Sequence, residues 1–291
     1  MTDRPVLRNV RSADGTTIGF FTLGSGPGLV VVGGSLAEGQ NYLRLARSLA
    51  TGFTVHVVDR RGRGRSGPQG PGYDLGTEVA DLLAVLAATG ARTVFGHSFG
   101  GLVCLETALA STELERVAAY EPGVLINGCM PGDWLPRFSE LLGQGDTRGA
   151  FATMVRSVGF APPALSAMPL WCAKLILRLV VRGEDWRHKE SLLGTQALEH
   201  GLLSSVTDSP ARYAGVRAQV LVLVGGDSPG FSGSDLLAGL TGAIPGSTGE
   251  SLDGLGHTAP SEDDPDAVAD AVLRWLRPAA PEPQPAPLVG R

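Results

Sequence analysis

Thr93-Val94-Phe95-Gly96-His97-Ser98-Phe99-Gly100-Gly101 is the stretch on which the reading of this chain turns, and Leu102-Val103-Cys104-Leu105-Glu106 follows it. The apolar run breaks into Gly-x-Ser-x-Gly and resumes with residues suited to a helix. A strand that turns sharply into a helix on a serine holds the hydroxyl exposed on a tight bend, the geometry of a nucleophile elbow. Glycine at 96 and 100 suits that bend, because side chains there would collide as strand and helix approach.

Taken alone the pattern is weak in a chain with 41 glycines among 291 residues. It recurs at Gly226-Asp227-Ser228-Pro229-Gly230, also after an apolar run, Val220 to Val224. Pro229 separates the two. An elbow serine needs a backbone N–H on the next residue to help bind an oxyanion, and proline has none. Ser98 is followed by Phe99, which can donate. Ser98 is therefore the candidate nucleophile, and Ser228 is set aside.

Outward from the elbow, strand and helix alternate. Val6–Arg11 and Thr16–Leu23 flank the hairpin signal Asp14-Gly15. Strands are expected at Leu29–Val32, Phe53–Val58 and Arg116–Tyr120, and helices at Glu38–Ala50, Leu75–Ala88 and from the elbow to about Ala110. Such alternation calls for a mostly parallel sheet covered on both faces. It stops near Gly128 and resumes after Gly215, with strand Gln219–Val224, helix Leu236–Leu240, strand Thr248–Leu252 and helix Asp263–Leu276. The expected organisation is an α/β core over 1–127 and 216–277, a helical cap insertion over 128–215, and a disordered proline-rich tail over 278–291.

An apolar fraction of 43% suffices for a full core, and a formal charge of −5 leaves no basic footprint for nucleic acid or an anionic membrane. Cys104, Cys129 and Cys172 are widely spaced and odd in number, which reads as free thiols in a reducing compartment. The first residues lack the apolar segment of a signal peptide, and Leu170–Val181 is interrupted by Lys174 and Arg178, so neither export nor a membrane span is expected. The expected address is cytoplasmic.

A nucleophilic serine needs a base, a carboxylate to orient the base, and donors for the oxyanion. Of the five histidines, His56 lies within a strand, His97 adjoins the nucleophile, and His188 and His200 fall in the insertion. His257 follows the last strand in Leu252-Asp253-Gly254-Leu255-Gly256-His257, where two glycines free the loop to place its ring at the sheet edge. The carboxylate has two candidates. Asp227 follows strand Gln219–Val224, and Glu121 closes strand Arg116–Tyr120; Asp227 is preferred, with Glu121 the alternative. The arginines of Asp59-Arg60-Arg61-Gly62-Arg63-Gly64-Arg65-Ser66 read as solvated side chains on a glycine turn rather than an anion site. The aromatics of the insertion fit an acyl pocket and a cap core equally well.

These residues together resemble the α/β-hydrolase fold family over most of residues 6 to 277. The resemblance rests on the elbow at Gly96–Gly101, the turn Asp59–Ser66, the loop at Asp227 and Gly256-His257. It implies a helical cap where the insertion falls, and a second oxyanion donor after the first buried parallel strand, assigned to the Ser35 N–H beside that of Phe99. Two departures stand out. The family's acid loop often reads Gly-x-x-Asp, and counted from Gly225 that slot holds Ser228. The oxyanion loop often begins His-Gly, and here it begins Gly33-Gly34. A serine nucleophile argues against haloalkane dehalogenase or epoxide hydrolase chemistry.

The expectation is a serine hydrolase acting on an ester, lactone or thioester of a small hydrophobic substrate through an acyl-enzyme, with no cofactor or metal. The alternatives are a biosynthetic enzyme using the same pocket for a non-hydrolytic step such as cyclisation, and a non-catalytic ligand-binding protein.

Overall fold

The computed structural model describes residues 4–126, 132–158, 162–228 and 233–277. The tail after residue 277, with Cys129, Pro229 and Gly230, lies outside them. Eight strands form one sheet: β1 (Val6–Arg11), β2 (Thr17–Gly24), β3 (Gly28–Val32), β4 (Thr54–Val58), β5 (Thr93–His97), β6 (Arg116–Tyr120), β7 (Gln219–Gly225) and β8 (Thr248–Leu252). Their spatial order is β1-β2-β4-β3-β5-β6-β7-β8. The pairs β1·β2 and β2·β4 are antiparallel, and from β4 onward neighbours run parallel. Gly15, at φ 85, makes the expected hairpin turn between β1 and β2.

The inner strands read as unbroken apolar runs because both of their faces are covered. Val30, Val32, Val94, Val117 and Val222 point into one layer of core, and Leu29, Val31, Phe95, Ala118 and Leu223 into the other. Helices α2 (Leu75–Thr89), α3 (Phe99–Ala110) and α9 (Gly233–Ala243) cover the first layer, and α1 (Leu43–Leu49) and α10 (Pro265–Leu276) the second. Local chemistry sets the helix ends. Asp74 accepts from the Thr77 N–H to start α2, and Gly90, at φ 68, closes it. The helix expected over Glu38–Ala50 begins instead as a 3₁₀ turn, Gly39–Tyr42, whose first N–H, that of Gly39, is held by the Asp59 carboxylate at 2.7 Å.

Between β6 and β7 lie α4 (Leu135–Gly143), α5 (Thr147–Ser157), α6 (Pro163–Ala167), α7 (Leu170–Val180) and α8 (Gly183–Ser204). They carry a separate apolar cluster that includes Trp134, Phe138, Phe151, Met154 and Trp186. Trp171, on α7, is 70% exposed and belongs to neither core nor pocket. None of the described helices is long and apolar enough to cross a membrane.

Candidate active site

Ser98 stands between β5 and α3 with φ 52 and ψ −121. Its N–H donates to the Tyr120 carbonyl at 3.0 Å, and its carbonyl accepts from the Gly123 N–H at 2.8 Å, so the end of β6 fastens the bend. The two glycines of the motif serve different contacts. A Cβ at Gly96 would fall 2.5 Å from the Gly100 carbonyl oxygen, whereas one at Gly100 would fall 2.2 Å from the Val32 carbonyl oxygen. The first lets strand meet helix, and the second lets the helix start against β3.

Ser98 and His257 line one cavity of about 270 Å³ between the sheet edge and the inserted helices. Leu36, Trp134, Phe151, Met154, Val158 and Leu203 supply most of its apolar wall. Trp134 and Phe151 therefore belong to both the pocket and the inserted core, two roles that the sequence could not rank.

The His257 Nδ1 lies 2.6 Å from the Glu121 carboxylate. Glu121 is fully buried, and its other oxygen accepts from the Gly225 N–H at 2.8 Å and the Ser228 hydroxyl at 2.6 Å. The preference for Asp227 is thus corrected. Asp227 is exposed in the turn after β7, with its N–H bonded to the Leu255 carbonyl. Glu121, at φ 41, is bonded through its own N–H to Leu223 on the neighbouring strand, and its side chain lies beneath the histidine loop. Ser228 fills the slot where the family pattern has an acid, and its hydroxyl donates to Glu121. The Tyr120 hydroxyl donates to the Gly256 carbonyl at 2.8 Å and secures the loop beside His257.

Three of the other histidines have hydrogen-bond partners of their own, whereas His200 lines the cavity with its ring 4.9 Å from that of Trp134 and its Nε2 without a hydrogen-bond partner among the described residues. His56 sits against Thr22 on β2 at 3.0 Å, and burial pushes it down to about 4. His188 bonds Asn41 at 3.1 Å. His97 is buried with its Nδ1 2.7 Å from the Tyr42 hydroxyl, and burial with the neighbouring His257 holds it well below the ordinary histidine range. The Tyr42 oxygen also accepts from the Gly34 N–H at 2.8 Å.

Ser35 and Phe99, the expected oxyanion donors, flank the nucleophile. Phe99 opens α3, so its N–H is one of the helix's unpaired donors at the positive end of the dipole. A Cβ on Gly34 would lie 3.1 Å from the Ser98 Cβ, which places the Gly33–Ala37 loop directly against the elbow.

The reading of the arginine turn is also corrected. Arg60, Arg61 and Arg63 are 2%, 2% and 4% exposed. Arg61 grips Asp81 with two bonds at 2.6 and 2.7 Å. Arg60 pairs with Glu78 at 2.8 Å and Glu199 at 3.0 Å, and its guanidinium lies 4.5 Å from the Phe99 ring centre. Arg63 also pairs with Glu199. Burial would raise the Glu199 carboxyl, but Arg60 and Arg63 outweigh it and hold it below its ordinary value. No local signal betrayed these arginines, because their acidic partners are 18 to 139 residues away in sequence.

Comparisons with known proteins bear on the fold and the family. The Alpha/beta hydrolase family profile matches residues 29–271. A crystal structure of an α/β hydrolase from Sphaerobacter thermophilus superposes with a TM-score of 0.79 at 31% identity, covering 93% of this chain and all of that one. The chain is 45% identical over 82 residues to a pimeloyl-[acyl-carrier protein] methyl ester esterase of Chromobacterium violaceum, 28% of this chain and 31% of that one. It is 33% identical over 106 residues to an N-formylmaleamate deformylase of Pseudomonas putida, 35% of this chain and 39% of that one. It spans about a third of the length of these two curated relatives. An elbow serine, an eight-stranded sheet with helices inserted after β6, and a family match across most of the sequence lead to one conclusion: the chain belongs to the Alpha/beta hydrolase family.

Proposed function

We propose that this protein is a serine hydrolase that cleaves an ester, lactone or thioester of a small hydrophobic substrate through an acyl-enzyme, with residues 128–215 as its cap. The observation that carries the reading is the order Ser98, His257, Glu121: a strained serine sharing an apolar cavity with a histidine whose far nitrogen is held by a buried carboxylate. Relatives named as an esterase and a deformylase support the same reaction class.

In this mechanism Ser98 Oγ attacks the substrate carbonyl carbon while His257 Nε2 takes its proton. Glu121 keeps the other proton on Nδ1 and stabilises the imidazolium that forms. The oxyanion is held by the N–H groups of Phe99 and Ser35; the intervening Gly34 N–H is already engaged by Tyr42. His257 then protonates the leaving group, and water, deprotonated by the same imidazole, releases the acid from Ser98. The apolar wall accounts for a preference for hydrocarbon acyl groups.

The test is a series of p-nitrophenyl esters and thioesters of graded acyl length, together with a fluorophosphonate label. Ser98→Ala is expected to lose at least about 10⁴-fold in kcat and all labelling. Retained turnover in Ser98→Ala with loss in His257→Ala would point instead to non-hydrolytic acid–base chemistry.

A further inference from the structure

We propose that Glu199, on the inserted helix α8, is a positioning residue that sets the oxyanion loop through Arg60, Arg63 and Ser35; the proposal rests on the hydrolase reading above. Glu199 is 1% exposed. One of its oxygens accepts from both Arg60 and Arg63, and the other accepts from the Ser35 hydroxyl at 2.7 Å. A single side chain from outside the sheet thus touches the oxyanion loop directly and through two guanidiniums.

Those guanidiniums act on the peptide that matters. Arg60 Nη2 and Arg63 Nη1 both donate to the Gly34 carbonyl, at 3.1 and 3.2 Å. The Gly34 carbonyl and the Ser35 N–H belong to one planar trans peptide unit, so fixing the oxygen on one side aims the N–H to the opposite side. Arg60 Nε also holds the Gly33 carbonyl at 2.9 Å, and Arg63 Nη1 the Ala37 carbonyl at 3.3 Å. The loop needs such holding. Leu36 has φ 52, a left-handed conformation that a leucine adopts only when its surroundings impose it.

Charge explains why Glu199 rather than an apolar residue occupies this place. Arg60, Arg63, Glu78 and Glu199 form a buried group of balanced charge. Glu78 answers Arg60 from α2, whereas Glu199 is the one carboxylate paired with Arg63 among the described residues. Neutralising Glu199 leaves Arg63 buried without a counter-charge and frees the Ser35 hydroxyl, so the Gly34–Ser35 peptide loses the restraints that set its direction.

The test compares wild type with Glu199→Gln, Glu199→Asp and the double variant Glu199→Met with Arg63→Met. The double variant removes both charges together and so avoids the buried, unpaired arginine that Glu199→Gln leaves; it is expected to fold, which its urea midpoint checks. The readouts are kcat and KM on a chromogenic ester, and the affinity for a matched trifluoromethyl ketone, which adds to Ser98 and places an oxyanion in the site. Glu199→Gln and the double variant are each expected to lose about 10- to 100-fold in kcat with KM within about threefold, and to lose ketone affinity by a similar factor. Glu199→Asp is expected to recover part of both. Wild-type kcat and ketone affinity in the folded double variant would overturn the proposal, and so would a loss confined to KM. A wild type that neither turns over the ester nor binds the ketone would overturn the hydrolase reading and this proposal with it, a result distinct from an active wild type matched by its variants.

Discussion

Leu36, Ser98, Glu121 and Asp208 are the described non-glycine residues with positive φ. The first two border the cavity at the elbow, and Glu121 bonds the histidine that shares it. Backbone strain of this kind persists only where packing and hydrogen bonds over-determine it, and it collects at functional sites. Glu121 and Asp227 show what the sequence could and could not rank. Both follow parallel strands and emerge at the same edge; burial and the contact with His257 separate them. Glu121→Gln is expected to lower kcat about 10²- to 10⁴-fold with little change in KM, because the histidine loses its orienting charge and preferred tautomer. Asp227→Asn is expected to leave kcat within about twofold, the side chain being exposed. Steady-state kinetics on one ester decides both, and a reversed order of the two effects would restore Asp227 as the acid.

The elements differ in how visible their roles were. Strands β6 and β8 end where the sequence places them, β6 as an apolar run closed by Glu121-Pro122 and the mostly exposed β8 closed by the turn residues Asp253-Gly254. The turn after β4 was misread because exposure is not a local property. Its arginines look like a solvated basic loop until α2 supplies Glu78 and Asp81 and α8 supplies Glu199. Burial makes these pairs unequal to ordinary surface bridges. Asp81→Ala strands the Arg61 guanidinium, whose remaining acidic partner Asp14 is half-exposed, and is expected to cost about 3–5 kcal/mol. Glu115→Ala removes an exposed partner of Arg92 and is expected to cost less than about 1 kcal/mol. Urea unfolding of the two variants against wild type measures the contrast, and equal costs would contradict it.

At the scale of the whole molecule, buried histidines make stability depend on pH. Burial pushes His56 down to about 4 and lowers His97 and His200 in the same direction. Such groups bind fewer protons folded than unfolded, so stability is complete above the ordinary histidine value of about 6.5 and declines as pH falls through about 4. The urea midpoint is expected to be lower at pH 5 than at pH 7.5, and His56→Gln to narrow that difference. A midpoint that rises on acidification would refute this. The sheet, the elbow serine, the loop histidine and the place of the inserted helices were legible in the sequence, because each rests on short-range regularities: apolar runs, helical spacing, and glycine where strand and helix crowd together. Which carboxylate faces His257, and which cations lie buried against the Gly33–Ala37 loop, was decided only by tertiary structure. Those are contacts between segments up to 139 residues apart, and their energies depend on burial and direction, which no local pattern encodes.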